Sequence, residues 1–178
     1  YTRCKNGLVR YSHFLDKFGM GVSMISIITP SNNVSFLKEA YVSLKEQTLK
    51  TWEWIVVLNN GADLNDLDSE IKNDPRVKVS TLSMVLSNVG ALKAVACQRA
   101  TGDIIVELDH DDLLVDTAIE EVEKCFREHP NVCFAYSNCA QVTASWEDYK
   151  YGEGNGWEYR PFLYKGRYVQ ETISPKPH

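Results

Sequence analysis

The chain has no surplus of positive charge and no long apolar run. Its 19 Lys and Arg residues stand against 24 Asp and Glu, leaving a formal net charge of −5. Binding nucleic acid by neutralising phosphates needs the opposite balance, so nucleic acid is excluded as a partner. No apolar stretch reaches the roughly 18 residues of a membrane-spanning helix, so no transmembrane segment is expected. The first residues show no basic stretch followed by an apolar run and a small-residue cleavage site, so no secretory leader is expected. The chain begins with Tyr1 rather than Met, so a fragment or processed chain, one domain of a larger protein, is expected.

Cysteine is present without a pattern. Cys4, Cys97, Cys125, Cys133 and Cys139 make an odd number, with no CxxC pair and no Cys/His metal spacing. That argues for a reduced, cytoplasmic compartment. Cys97, Cys125 and Cys133 sit among apolar residues and are expected to act as small core hydrophobes. Glycine is also unpatterned: no GxGxxG follows the first apolar strand, against a dinucleotide-binding domain.

What remains looks like one soluble globular domain: 178 residues, 44% hydrophobic and 24% charged. Residues 1–23 show no clear period and are read as an N-terminal extension or tag-like segment. "MISIIT" (24–29) fits a strand buried on both faces. Asn32 or Asn33 can cap the helix that follows, where Phe36, Leu37, Ala40, Tyr41 and Leu44 recur at helical spacing. "WEWIVVL" (52–58) is a second buried strand, closed by "NNG". "RVKVSTL" (76–82) alternates as a third strand. Residues 87–102 form a helix with Gly102 as its stop. "DIIVELD" (103–109) is a fourth strand. Asp116 or Thr117 opens another helix, with Ala118, Val122, Cys125 and Phe126 on one face. "VCFAYSN" (132–138) is a fifth strand.

Strands alternating with helices give a mainly parallel α/β sheet. Residues 24–138 form this core. Residues 139–178 are aromatic, Gly-rich and irregular, and are expected to be loops or a small hairpin region of the same domain.

The chemistry concentrates in "IIVELDHDDLL" (104–114). Asp109, Asp111 and Asp112 crowd the end of a buried strand. In open α/β sheets, ligands bind at the carboxyl ends of the strands. Carboxylates this close either raise a pKa or recruit a cation. Hard oxygen donors suit Mg²⁺ or Mn²⁺, which take one or two protein carboxylates and fill their other positions with water and phosphate oxygens. A diphosphate-containing ligand follows. The competing reading is helix capping, stronger for Asp112 and Asp116 and weaker for Asp109, which ends an apolar strand. Other strand ends carry Thr29-Pro30 and Asn59-Asn60-Gly61. Asn88, Gly90 and Lys93 start a helix whose N–H groups and lysine suit phosphate oxygens.

The stretch from "SIITPSNN" through "QTLKTWEWIVVLNNGAD" to "ATGDIIVELDHDD" resembles the family 2 glycosyltransferases of the GT-A fold over residues 24–138. "ATGDIIVELDHDD" matches that family's DxD motif. The resemblance implies a Rossmann-like three-layer α/β sandwich. It implies transfer of a sugar from a nucleotide diphosphate, usually UDP, to a glycan or glycoprotein acceptor, and it implies Mn²⁺ or Mg²⁺. By that resemblance Asp111 is a metal ligand, and Asp109 touches the donor's ribose or the metal. Asp112 is the next acidic residue, near the donor sugar. Thr29 and Pro30 line base and ribose, and Lys93 lies near the donor. Compact relatives occur in bacteria and large DNA viruses.

Two departures matter. Relatives often carry Asp-Asp-Gly-Ser after the second strand, where an Asp reads uracil; here the loop is "LNNGAD". Asn59 or Asn60 can accept from uracil N3–H and also donate, and Asp63 can take the acidic role. Alternatively, Asn60 is a plain turn residue before Gly61. Inverting relatives also use an acidic base well downstream. Glu147, Asp148, Glu153, Glu158 and Glu171 are candidates; Asp112, Glu153 and Glu158 are carried as the catalytic set. Trp146, Tyr149, Trp157 and Tyr159 either stack on a sugar or bury a loop-rich edge. Two rival functions remain: a non-catalytic nucleotide-sugar-binding domain, and a sugar-nucleotide nucleotidyltransferase. The absence of a Gly-rich basic loop after the first strand counts against the second.

Overall fold

The structure, a computed structural model, describes residues 23–86 and 88–137, and the backbone of the strands Gly7–Val9, Cys139–Ala140, Glu158–Tyr164 and Arg167–Ile173. In chain order the elements are β1 (Gly7–Val9), β2 (Ile25–Ser31), α1 (Leu37–Lys45), β3 (Trp52–Leu58), α2 (Ser69–Asn73), β4 (Val77–Thr81), α3 (Val89–Arg99), β5 (Ile104–Glu107), α4 (Ala118–Glu128), β6 (Phe134–Tyr136), β7 (Cys139–Ala140), β8 (Glu158–Tyr164) and β9 (Arg167–Ile173). Short 3-10 turns occupy Val34–Phe36 and Leu64–Asp66.

Residues 7–135 form one compact unit, built on a sheet of strand order β4-β3-β2-β5-β1-β6. β2 pairs parallel with β3 and β5, and β3 parallel with β4. β1 joins antiparallel to β5, Leu8 opposite Val106, so the segment read as an extension supplies a strand of this sheet.

Strand alternation sorts the apolar side chains into two layers. Ile25, Ile27, Trp54, Val56, Ile104 and Val106 face one layer, where Leu37, Ala40 and Leu44 of α1 and Ile119 and Phe126 of α4 pack. Ile28, Ile55, Val57 and Ile105 face the other, where Leu92 and Ala96 of α3 pack. Helix, sheet and helix make the expected three-layer α/β sandwich. Each fully buried aliphatic or aromatic chain is worth roughly 1.5–3 kcal/mol, which explains why β2 and β3 read as nearly unbroken apolar runs.

This layering fixes where a ligand can enter. The helix leaving β2 lies on one face, and the helix arriving at β5 lies on the other. The chain therefore diverges between β2 and β5, and their carboxyl ends border the crevice that such a switch point opens.

Several local expectations change. Phe36 does not join the α1 face; it sits in the 3-10 turn and is 47% exposed. Cys97 is half-buried and packs against the core beneath α3, Cys125 is half-buried, and Cys133 is exposed, against the expectation of a core residue. On α4, Ala118, Val122 and Phe126 pack on the core as expected, and the buried Ile119 and Glu123 join them. Neither Asp116 nor Thr117 caps α4 with its side chain. The buried Gln47, two residues beyond α1, does so: its Oε1 accepts from Ile119 N at 2.9 Å, while its Nε2 donates to Val115 O at 2.7 Å. Asn33 caps the turn before α1 as expected, accepting from Ser35 N at 3.0 Å.

Gly102 is more than a helix stop, since α3 already ends at Arg99. A Cβ there would lie 2.5 Å from Met24 O and 2.8 Å from Ser26 Oγ, so only glycine lets the α3–β5 loop pass the start of β2.

The second unit is described by itself. β7, β9 and β8 form an antiparallel sheet in that order, with Glu158 opposite Ile173 and Tyr164 opposite Arg167. The region expected as loops or a small hairpin thus contains a hairpin of two seven-residue strands. Pro161, which cannot donate a ladder hydrogen bond, sits in the edge strand β8.

Candidate functional site

The carboxyl ends of β2, β3 and β5 lie together at one edge of the sheet, where open α/β sheets form their ligand crevice. Its floor is tied by backbone bonds between neighbouring strand ends: Asn59 N to Ser31 O at 2.9 Å and Leu108 N to Ile28 O at 3.1 Å. Beyond β5, Asp112 N donates to Asp109 O at 3.1 Å, closing a turn over residues 109–112. That loop is anchored to α1, because Leu114 N donates to Ser43 Oγ at 3.3 Å. The acidic cluster is therefore held on a stapled turn.

Within it the aspartates differ. Asp109 is half-buried, and its Oδ1 lies 3.1 Å from Lys93 Nζ. The same ammonium lies 2.9 Å from Glu107 Oε2. The side chains of Lys93, Glu107 and Asp109 are 22%, 28% and 30% exposed. Burial alone would lower the Lys93 pKa, but the hydrogen bond to Glu107 and the charge of Asp109 outweigh it and hold the ammonium above its usual range. Asp111 is exposed, and Asp112 is half-buried. All three lie well before Ala118, where α4 begins, and α4 is capped by Gln47. Helix capping therefore does not account for them.

The expectations for Thr29 and Asn59 are corrected. Thr29 is fully buried; its Oγ1 donates to Leu108 O at 2.7 Å and accepts from Trp54 Nε1 at 2.8 Å, bridging three strands inside the core. It cannot line a ligand. Asn59 is also buried, and both ends of its amide are engaged. Nδ2 donates to Met84 O at 3.1 Å, and Oδ1 accepts from Leu86 N at 3.3 Å. Asn59 shapes the loop after β4 and is not free to read a base. Pro30 is half-buried beside it in β2.

Asn60 is exposed with φ 53°, followed by Gly61 with φ 90°, so the tight-turn reading describes its backbone. Asp63 caps the turn at Leu64–Asp66, accepting from Asn65 N at 2.8 Å. Asn88 caps α3 by accepting from Gly90 N at 2.8 Å, which occupies one of that helix's N-terminal donors. Lys93 is brought to Asp109 and Glu107 instead of standing beside Asn88 as a separate phosphate contact. Glu147, Asp148 and Glu153 lie outside the described residues. So do the side chains of Glu158 and Glu171, whose backbones lie in β8 and β9.

Three residues escaped the sequence reading. Glu107 shares Lys93 with Asp109 because residues two apart on a strand share a side. Ser31 ends β2, and its hydroxyl lies 3.1 Å from Nδ1 of His110. His110 stacks on Phe36, with ring centres 5.4 Å apart and planes 21° apart. The period-two pattern pointed to Glu107; nothing local marked the Ser31–His110 pair.

Among the described residues no group of three or more His, Cys, Asp or Glu side chains is assembled to hold a metal ion. Asp109 and Asp111, two residues apart on this turn, offer a set of carboxylate oxygen donors by their chemistry. That set fits Mg²⁺ or Mn²⁺, which take one or two carboxylates and complete their shell from water and phosphate. It does not fit a Cys/His zinc site.

The glycosyl transferase family 2 model matches residues 26–175. Among solved structures, S. aureus TarS 1-349 is similar with TM-score 0.55 and 24% identity, over 60% of this chain and 33% of that one. Its complex with UDP-GlcNAc gives TM-score 0.55 and 24% identity, over 60% and 32%. Its complex with UDP gives TM-score 0.55 and 24% identity, over 60% and 33%. The chain spans about a third of the length of these structures. At this identity the likeness shows the fold. No curated protein sequence matches the chain.

Proposed function

The chain belongs to glycosyl transferase family 2, and on that premise we propose that it moves a sugar from a UDP-sugar to a hydroxyl of a glycan or glycoprotein acceptor. The observation that carries this reading is the position of the Asp109–Asp112 turn. It stands at the carboxyl end of β5, beside the divergence of β2 and β5, on a loop stapled to α1 and unconnected with capping α4. A nucleotide diphosphate in that crevice would meet carboxylates that repel it unless a cation intervenes. Asp111, with Asp109, would hold Mn²⁺ or Mg²⁺. When bound, the ion supplies charge neutralisation and Lewis acidity for the departing diphosphate. Lys93 fixes Asp109 by holding Oδ1. Similarity to a fold solved with UDP and UDP-GlcNAc supports a nucleotide-sugar donor.

The acceptor side of the reading is inversion at the anomeric carbon, with the acceptor proton taken by an acidic residue from Asp112, Glu153 and Glu158. The unpatterned cysteines fit a cytoplasmic setting. No helix among the described residues is long and apolar enough to cross a membrane.

Calorimetric titration with UDP, and with GDP as control, tests the donor site. The expected result is UDP binding that requires Mn²⁺ or Mg²⁺ and disappears with EDTA. Binding of neither nucleotide, or UDP binding unchanged by EDTA, would overturn the metal-bridged donor site. Slow hydrolysis of a UDP-sugar would separate an enzyme from a binding domain.

A further inference from the structure

His110 lies between the two aspartates of the motif, yet its ring is held by a different part of the chain. Ser31, the last residue of β2, is buried, and its hydroxyl is fully used. Oγ donates to Asn33 O at 2.9 Å and accepts from Asn33 N at 3.2 Å. A hydroxyl has one hydrogen and two lone pairs. His110 Nδ1 lies 3.1 Å from the same oxygen, so that ring nitrogen is engaged by Ser31. That contact engages Nδ1 and leaves Nε2 as the ring nitrogen available to a further partner.

The ring is also held in plane. It stacks on Phe36 at 5.4 Å and 21°. Phe36 is 47% exposed, so the ring pair lies at the surface of the strand ends. Ser31 and His110 belong to neighbouring strand ends, so their hydrogen bond spans the point where the sheet diverges. Among the described residues, Nε2 makes no hydrogen bond. A half-buried ring with one nitrogen fixed, one face stacked and the other nitrogen free is arranged to meet something in the crevice.

We propose that His110 is a donor-binding residue: its Nε2 hydrogen-bonds a hydroxyl of the bound nucleotide sugar, with Ser31 and Phe36 as its positioning residues. The inference rests on the UDP-sugar reading above and deepens it. An imidazole nitrogen and a sugar hydroxyl are complementary, because the hydroxyl can donate or accept, and a ribose and a transferred hexose both offer such hydroxyls.

The test is calorimetric titration of UDP and of a UDP-sugar into the wild type, His110→Phe, His110→Gln and Ser31→Ala, each with Mn²⁺. His110→Phe keeps a ring to stack on Phe36 and removes both nitrogens. It should weaken binding by roughly three- to tenfold, the size of one neutral hydrogen bond. An equal loss for UDP and UDP-sugar places the hydroxyl on the ribose; a loss confined to UDP-sugar places it on the transferred sugar. His110→Gln, with a hydrogen-bonding amide at similar reach, should recover part of the loss. Ser31→Ala should weaken binding less than His110→Phe, because it frees the ring without removing it. Wild-type affinity of His110→Phe for both ligands would overturn this inference alone. A wild type that binds neither nucleotide would overturn the donor reading and this inference with it.

Discussion

Lys93 Nζ stands 3.1 Å from Asp109 Oδ1 and 2.9 Å from Glu107 Oε2, so one ammonium serves two carboxylates at the end of β5. Adjacent members of one acidic motif thereby acquire different characters. Asp109 is a half-buried carboxylate already partly neutralised by the protein. Asp111 is an exposed one on the turn beyond.

The first prediction follows from that difference. Asp111→Ala should abolish the Mn²⁺-dependent part of UDP binding and leave the fold intact. Substitution of an exposed turn residue outside the core usually changes stability by no more than about 0.5 kcal/mol. Calorimetry with and without EDTA, alongside a thermal melt, checks both halves. If the variant still gains affinity from Mn²⁺, Asp111 is not the ligand.

Lys93→Met should behave in the opposite way, harming the fold before it harms the chemistry. Removing the ammonium leaves Glu107 and Asp109 facing each other in a partly desolvated place. An unsatisfied group of this kind costs about 1–3 kcal/mol. Glu107→Gln in the same chain should return part of that loss, since one carboxylate is gone. Urea midpoints of the two single variants and the double variant give the coupling. Strict additivity would mean that the pair contributes nothing.

Most of the fold was legible in the sequence because burial on both faces of a parallel sheet writes itself as long apolar runs. β2 and β3 are such runs, and α1 follows its apolar stripe. The position of the acidic turn was legible for the same reason: the run in β5 stops at Glu107 and the aspartates come after it. What the sequence did not show was partnership across the chain. Thr29 looks like a strand-end hydroxyl, but Trp54 Nε1 and Leu108 O claim it from two other strands. Thr117 and Asp116 look like caps, but Gln47, from the distant loop after α1, takes that role. Long-range hydrogen bonds leave no local period, so residues such as Ser31 and His110 stayed silent.

The amino ends of the strands carry a separate device. Glu53 is buried in β3, and its carboxylate accepts from Ser26 Oγ at 2.6 Å, from Thr101 N at 2.6 Å and from Lys78 Nζ. Burial alone would raise its pKa, but the hydrogen bonds from Lys78, Ser26 and Thr101 more than offset that and hold it at about 2, against 4.5 for the unperturbed group. A carboxyl depressed on folding stabilises the protein above its unfolded pKa. The contribution is lost as pH falls from about 4.5 through about 2. Glu53→Gln should therefore lose about 1–3 kcal/mol near pH 7 and show a shallower fall in stability between pH 5 and pH 2 than the wild type. Asp74, also held at about 2, titrates in both proteins, so the difference between the two curves isolates Glu53. Parallel curves would show that Glu53 keeps an ordinary pKa.

Asn59 offers the sharpest contrast with the uracil-reading aspartate of the sequence resemblance. Asn59→Asp would restore an acidic residue to the loop after β3. Its new oxygen, however, would face Met84 O, which now receives a hydrogen bond from Nδ2. A buried acceptor would then oppose an acceptor, and the carboxyl would also lose solvation. The expected result is a loss of about 1–3 kcal/mol in stability and faster proteolysis in the 83–86 loop, with the preference for UDP over GDP unchanged. Limited proteolysis and paired titrations with the two nucleotides check this. A variant as stable as the wild type and more selective for UDP would mean that Asn59 faces the base after all, and that its bonds to Met84 and Leu86 yield when a nucleotide binds.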